Sequence, residues 1–345
     1  MKEIRVNRLP LLTYRYLRTN DTTFAFEAPE DHSDIIFSDM TYVKEGCTWP
    51  ADYNSMAPEV TEVSSKGKKY FIEIPEGVET SLIVSIVPHN DIGGFAGQFR
   101  FRINKKAKLH LVWRCELPNR DITVVMSTYY EVMEGASVSS SSMETGLGIA
   151  SVYDERHVVV DTDGKADFSS AKLGGHRNVV HSYGKLAGDR ATMREAAVYA
   201  AVGKQELDLF YHIEHYGKDT DAKIDVKGAL LDESKKVCRA TLNFIKGCSG
   251  STGDEGDYAI QLDPKTKNIS LPLLLCTEDN VQGNHASSAG QLDKNTVYFL
   301  MTRGFDLEEA RRIVVESMIC PLVDVMDESL REEIIAAVRE KLSNR

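Results

Sequence analysis

A thiol, two carboxylates and an imidazole fall within one short segment, CTEDNVQGNH, as Cys276, Glu278, Asp279 and His285. Thiolate sulfur is a soft donor, imidazole suits most first-row metals and carboxylate oxygen is hard. A set of these types could hold a transition-metal ion and still release it. The ordinary alternative is a buried Cys276 on an apolar face with His285 capping a loop. The run LPLLLC, Leu271 to Cys276, reads as a buried strand. The polar, turn-rich TEDNVQGNH reads as the loop into which it emerges. All four side chains are therefore expected at a strand exit rather than in mid-core.

Other candidates carry less. His212 and His215 in DLFYHIEHYG stand three apart. On a strand that spacing points them to opposite faces, which argues against a shared metal. His176 and His181 have the same parity problem. The six cysteines, at 47, 115, 238, 248, 276 and 320, include no CxxC pair, so the spacing of structural zinc or ferredoxin sites is absent. Cys238 and Cys248 bracket RATLNFIKG, about one strand, with too few residues between them for a full solenoid coil. Gly247, Gly250, Gly253 and Gly256 lie in KGCSGSTGDEGDY. That segment lacks the Lys-Ser/Thr ending of a phosphate loop and a helix after it, so it reads as an acidic turn.

The elements that must position these groups are mostly strands. From Lys69 to Leu275 segments such as KYFIEIP, TSLIVSIVP, KLHLVWRCEL and HVVVDTD follow one another, rich in Val, Ile, Thr, Tyr and Phe and separated by Gly, Asp, Asn or Pro. Hardly any interior stretch keeps a 3.6 period, which excludes a doubly wound α/β fold. A sandwich and a parallel β-helix remain. Some 200 residues of strand is long for one sandwich, whereas a solenoid grows by stacking coils, though no clean repeat is visible. Residues 1–75 read as an irregular lead-in in which Pro10, Pro29, Pro50 and Pro58 break every candidate helix. Residues 76–280 form the β core, and 281–345 are helical. In that tail Asp293 caps a helix through Thr302, Gly304 stops it, and Asp306 with Glu309 makes a capping box for a second helix that Pro321 ends. A third helix fits 328–342.

The chain has 345 residues with 42% hydrophobic and 27% charged, as expected of a globular protein with a sizeable core. Its net charge is −11, from 41 basic and 52 acidic residues without a basic block, so nucleic acid is not expected as a partner. No run reaches the roughly 18 apolar residues of a membrane span, and Arg15 and Arg18 interrupt the N-terminal apolar stretch. A cytoplasmic protein without a membrane partner is expected.

The order of a strand ending in Cys276, then NHASSAG around His285, then Val297-Tyr298-Phe299-Leu300 on a helix, the turn Thr302-Arg303-Gly304 and an EEA helix resembles the C-terminal part of the SufB/SufD family. The resemblance implies a right-handed parallel β-helix with a C-terminal helical region. It also implies work in iron–sulfur cluster assembly as a non-enzymatic scaffold, with ATP hydrolysis supplied by a SufC-like ABC ATPase. The ATPase would dock on the C-terminal helices, at Tyr298, Arg303, Leu307, Ala310, Ile313, Val314 and Met318. Pairing with a second copy or a SufB/SufD-type homologue is expected through the last coils.

The chain departs from the family in places. Set beside the family, a short form lacking most of the N-terminal helical region is expected. About thirty residues before the histidine, where SufB members usually carry a cysteine, it has Asp254, Glu255 and Asp257. Ala286 stands where SufB has Glu, and Gly283 where SufD often has Cys. These departures leave Cys276 as the thiol, Glu278 and Asp279 as oxygen donors and His285 as the nitrogen donor for a transient cluster, since imidazole can replace thiolate on such clusters. A flavin takes part in some complexes of the family, but no residue pattern here calls for one. The competing readings are a β-helix carbohydrate-active enzyme, for which no clustered acid pairs are visible, and a zinc-binding structural protein.

Overall fold

Along Glu79–Pro88 buried and open positions alternate almost residue by residue, the mark of a strand with one face in a core. Repeated down the chain, that pattern builds the body of the protein. The computed structural model describes residues 2–12, 19–26, 33–46, 48, 57–88, 94–146 and 149–343. The hairpin strands β1 (Lys2–Val6) and β2 (Thr22–Phe26) pair antiparallel; β3 (Ser33–Phe37), β4 (Val43–Glu45) and α1 (Pro58–Lys66) follow. Pro58 occupies the first helical turn, where its missing N–H costs nothing, so it starts a helix rather than breaking one.

The solenoid strands are β5 (Lys68–Ile74), β6 (Glu79–Pro88), β7 (Phe95–Ile103), β8 (Lys108–Glu116), β9 (Thr123–Val132), β10 (Ser137–Thr145), β11 (Ser151–Val160) and β12 (Lys165–Lys172). They continue as β13 (Arg177–Leu186), β14 (Thr192–Ala201), β15 (Glu206–His215), β16 (Asp221–Leu230), β17 (Lys235–Phe244), β18 (Thr252–Gln261), β19 (Lys267–Cys276) and β20 (Gln282–Gly290).

From β5 onward each strand pairs in parallel with the strand two along, so odd strands form one sheet and even strands the other, a parallel β-solenoid of about 7 turns. At the first end β3 and β4 pair antiparallel with β6 and β5. Coil length is uneven. Ser151 pairs with Arg177, 26 residues on, Glu206 with Lys235, 29 on, and Lys235 with Lys267, 32 on.

One corner of every coil nevertheless repeats. Gly77, Lys106, Gly135, Asp163, Arg190, Asp219 and Gly250 all have positive φ. Each of their amides donates to a carbonyl of the next coil, as Lys106 does to Glu134 and Asp219 to Ser249. The corner demands a left-handed backbone, which Gly adopts freely and Asp tolerates.

The interior is lined by inward columns such as Ile103, Val132, Val160, Leu186, His215, Phe244 and Cys276, each paired with the next. Three helices follow, α2 (Lys294–Thr302), α3 (Leu307–Val323) and α4 (Glu328–Ser343). Asp293 caps α2, and Asp306 with Glu309 completes a capping box at α3. Pro321 lies inside α3 instead of ending it. With no N–H on Pro321, the Ser317 carbonyl one turn earlier loses its intrahelical donor, yet the helix runs on to Val323. Val315, Ile319, Leu322, Leu330, Ile334 and Val338 pack on Val112, Ala171, Val198, Ala200 and Ala229, the outer face of the even sheet. Small side chains on that face let the helices approach. Each fully buried Val, Leu or Ile contributes on the order of 1.5–3 kcal/mol relative to exposure. The helices therefore lie along the flank of the solenoid and leave its last coil uncovered. Among the described residues no helix is long and apolar enough to cross a membrane.

Candidate functional site at the open end of the solenoid

β19 and β20 are the outermost strands of their sheets at this end. The segment LPLLLC is indeed strand, but only Leu271 is buried and Cys276 is exposed, because no coil stacks above it. The expected loop is in part a strand: residues 282–290 form β20, with all nine residues exposed, and His285 lies on that strand.

Parity decides where His285 points. A Cβ placed on Gly283 would lie 3.2 Å from the Phe244 ring and 3.5 Å from Leu274, so Gly283 faces the interior. His285, two residues on, faces the same way. It pairs with Glu255 on β18, which in turn pairs with Ile224. Since β20 runs back across the end opposite β19 and Gly283 sits beside Leu274, His285 is level with Pro272. Four residues separate Pro272 from Cys276, about 13 Å along the strand at roughly 3.3 Å per residue. Ligands to one first-row ion sit only about 2.0–2.3 Å from it. Within a single chain Cys276 and His285 therefore sit about four residues apart along the end of the coil. Among the described residues no group of three His, Cys, Asp or Glu side chains could hold a metal.

The other two expected donors serve the turn between β19 and β20. The Glu278 carboxylate accepts from the amides of Gly247 and Asp279, at 2.8 and 3.0 Å, and the Gly247 amide is the main reason its pKa lies below the ordinary value. The Cys276 thiol donates to the Glu278 carbonyl at 2.8 Å. Asp279 is exposed.

Glu255 is the residue that the strand-exit reading passed over. It is 5% exposed, and neither of its oxygens makes a hydrogen bond of good geometry. Burial pushes its pKa up to about 8, against the pull of the Leu242 amide. The signal for it in the sequence is its spacing, one coil before His285, together with an inward position among DEGD that a strand burying one face would not choose for an acid. Deeper in, Lys236 donates to both oxygens of Asp257 at 2.5 Å, and Cys238 is buried with its thiol pushed far up by desolvation.

His212 and His215 point to opposite faces, as parity predicts, yet both are buried. His215 stacks on Phe244 with centroids 4.4 Å apart, and burial lowers its pKa to about 4. His212 is covered on the outer face beside Glu214. Cys248 and Gly247 lie in the turn before β18, whereas Gly253 and Gly256 are strand residues.

The residues expected to meet a partner separate into two groups. Tyr298, 70% exposed, Phe299, 55% exposed, Met301, Phe305 and Leu307 form an open apolar surface over α2 and the turn into α3, and the Arg303 guanidinium lies over the Phe299 ring. Ala310, by contrast, is fully buried, and Ile313, Val314 and Met318 are half-covered. In α3 Val315, Ile319 and Leu322 face the solenoid, and Ala310 is itself packed away from solvent.

Residues 89–318 match the family described as SUF system FeS cluster assembly, SufBD core domain. The iron-sulfur cluster assembly protein SufD of Bacillus subtilis is 24% identical over 222 residues, covering 63% of this chain and 51% of that protein. SufD of Escherichia coli is 20% identical over 282 residues, covering 81% of this chain and 60% of its own length. SufB of Bacillus subtilis is 20% identical over 276 residues, with 79% and 59% covered. The chain thus spans between about half and three-fifths of the length of these relatives.

Proposed function

Because the chain belongs to the SufBD core family of the SUF iron–sulfur cluster assembly system, we propose that it is a non-enzymatic scaffold on which such a cluster is built and released. A SufC-like ABC ATPase grips it at α2 and the turn into α3. The observation that carries this reading is the open apolar surface of Tyr298, Phe299, Met301, Phe305 and Leu307, which the flank packing of α3 and α4 leaves uncovered. Isolated exposed apolar residues are common, but a contiguous group of this kind marks an interaction site.

A second copy or a SufB/SufD-type homologue covers the last coil. β20 presents an unpaired strand edge with nine exposed residues, and such edges are templates for pairing with another chain. Cys276, exposed at the rim, offers the soft thiol, and His285 offers the imidazole some distance away. A cluster that uses both would need further ligands from the covering chain. The cluster is cargo in this scheme and no flavin is required.

The test is anaerobic co-expression with a SufC-like ABC ATPase. The native chain should retain the ATPase in a pull-down, and the double variant Y298A/L307A, with unchanged circular dichroism, should lose it. Retention by that variant would sink docking at α2. Unchanged cluster assembly in both C276A and H285A would sink the open end as the assembly site.

A further inference from the structure

We propose that the cleft between α3 and the outer face of the even sheet binds a free α-amino acid with an apolar side chain. Its charged centre lies on one strand. Lys223, Asp225 and Lys227 alternate along β16, on the same face that Ala229 turns to the C-terminal helices. The cleft has a volume of about 640 Å³, with Met318 and Pro321 of α3 on one side and Tyr258 and Ile260 of β18 on the other.

Asp225 carries the proposal. It is 9% exposed, and its Oδ1 is buried without a hydrogen-bond partner. Among the described residues its Oδ2 meets only the ammonium groups of Lys223 and Lys227, at 3.7 and 3.6 Å, too long for hydrogen bonds. Its neighbours across the sheet are Ala196 and Gly256, whose side chains have no donor to give. A Cβ on Gly256 would lie 2.7 Å from the Tyr258 ring, so that ring folds back over the glycine beside Asp225. Lys227 in turn lies 5.6 Å from the centre of the same ring. The carboxylate is thus covered by groups that leave it unsatisfied, a state native proteins rarely keep.

The charges exclude simpler ligands. A lone anion held by the two lysines would meet the open oxygen of Asp225. A lone cation held by that oxygen would meet two ammonium groups. A ligand that carries both signs close together satisfies all three residues, its ammonium donating to Asp225 and its carboxylate accepting from Lys223 and Lys227 in charge-assisted hydrogen bonds. In a peptide those two charges stand at opposite ends of the chain, whereas a free α-amino acid bears both on one carbon. Met318, Pro321 and Ile260 offer its side chain an apolar wall. The site draws on nothing in the assembly reading and stands or falls apart from it.

The full chain is titrated by calorimetry at pH 7 with L-leucine, with isocaproate, which lacks the ammonium, and with isoamylamine, which lacks the carboxylate. D225N and K223M/K227M are titrated with L-leucine. The native chain should bind one equivalent of L-leucine. Both analogues on the native chain, and L-leucine on either variant, should bind at least about tenfold more weakly, the change expected when a hydrogen bond to a charged group is lost. No saturable binding of L-leucine would overturn the site. Isocaproate binding within about twofold of L-leucine would reduce it to an anion site and overturn the amino acid, and so would D225N binding L-leucine within about twofold of the native chain. The analogue comparison needs only the native chain, so it decides the matter even where a variant fails to fold.

Discussion

Replacing Glu255 by glutamine should abolish a pH dependence of stability that the native chain carries. The group is 5% exposed, and burial lifts its pKa from an ordinary 4.5 to about 8. Between those values the folded chain holds a proton that the unfolded chain releases, so stability falls as pH rises through this window and levels off above the folded pKa. At 1.36 kcal/mol per pKa unit, ionisation in the unfolded state at pH 7 favours unfolding by about 3 kcal/mol, and the full loss by pH 9 is on the order of 5 kcal/mol. Glutamine has the same shape and takes no part in this equilibrium. Urea denaturation of both proteins without metal, at half-unit steps from pH 5 to 9, isolates the effect, because every other titrating group is common to the pair. The difference curve should favour E255Q increasingly with pH. Amide exchange in β17, β18 and β19 reads the same quantity locally, which matters in a solenoid whose coils can open separately. A difference curve flat to within about 1 kcal/mol over that range would mean that Glu255 finds water or a partner in solution, and the reading of it as a desolvated acid would fall with it.

Two further substitutions probe what holds the site and the lead-in. Lys236→Met strands the Asp257 carboxylate in the interior, where the pair's side chains are only 0% and 7% exposed. A loss of about 3–5 kcal/mol is expected in denaturation, largely restored in K236M/D257L, since removing one partner costs more than removing both. Arg239→Ala removes donors to the carbonyls of Thr19 and Asp21 and to the Asp208 carboxylate. Limited proteolysis should then cut within the first 26 residues sooner, with the solenoid fragment intact; equal cutting rates would show that the β1–β2 hairpin is held by its apolar contacts alone.

The all-β body and the C-terminal helices were legible because their signals are local, whereas the solenoid was singled out from a sandwich by the family resemblance. Strand periodicity needs only one buried face, and the caps at Asp293 and Asp306 need only the adjacent turn. The coil repeat was hidden by its uneven length, and because the corner it shares asks for a left-handed φ rather than one residue type, Lys106 and Arg190 stand where Gly77 and Gly135 do. α1 was hidden because Pro58 reads as a breaker unless its place at the helix start is known. β20 was missed for a different reason. QGNHASSAG has almost no strand formers, since a strand with nothing stacked above it gains little from packing, and only its register with β18 makes it a strand. Cys276 and His285, nine residues apart in the chain, looked like neighbours; the reversal between β19 and β20 carries them apart across the end of the coil. Glu255 and His285, thirty residues apart, are the true neighbours. No reading of short spacings finds such a pair without the coil length.

The two ends of the solenoid differ in a way that bears on assembly. At the first end β3 and β4 run antiparallel to the strands they cover and close the stack. At the last end nothing among the described residues performs that task, and β20 lacks the features that normally blunt an edge, having no lysine, no proline and no bulge-forming departure from its register with β18. An edge left so bare is tolerable where another chain completes it. A chain that completed it would lie over His285, and hence over the mouth beneath which Glu255 is buried.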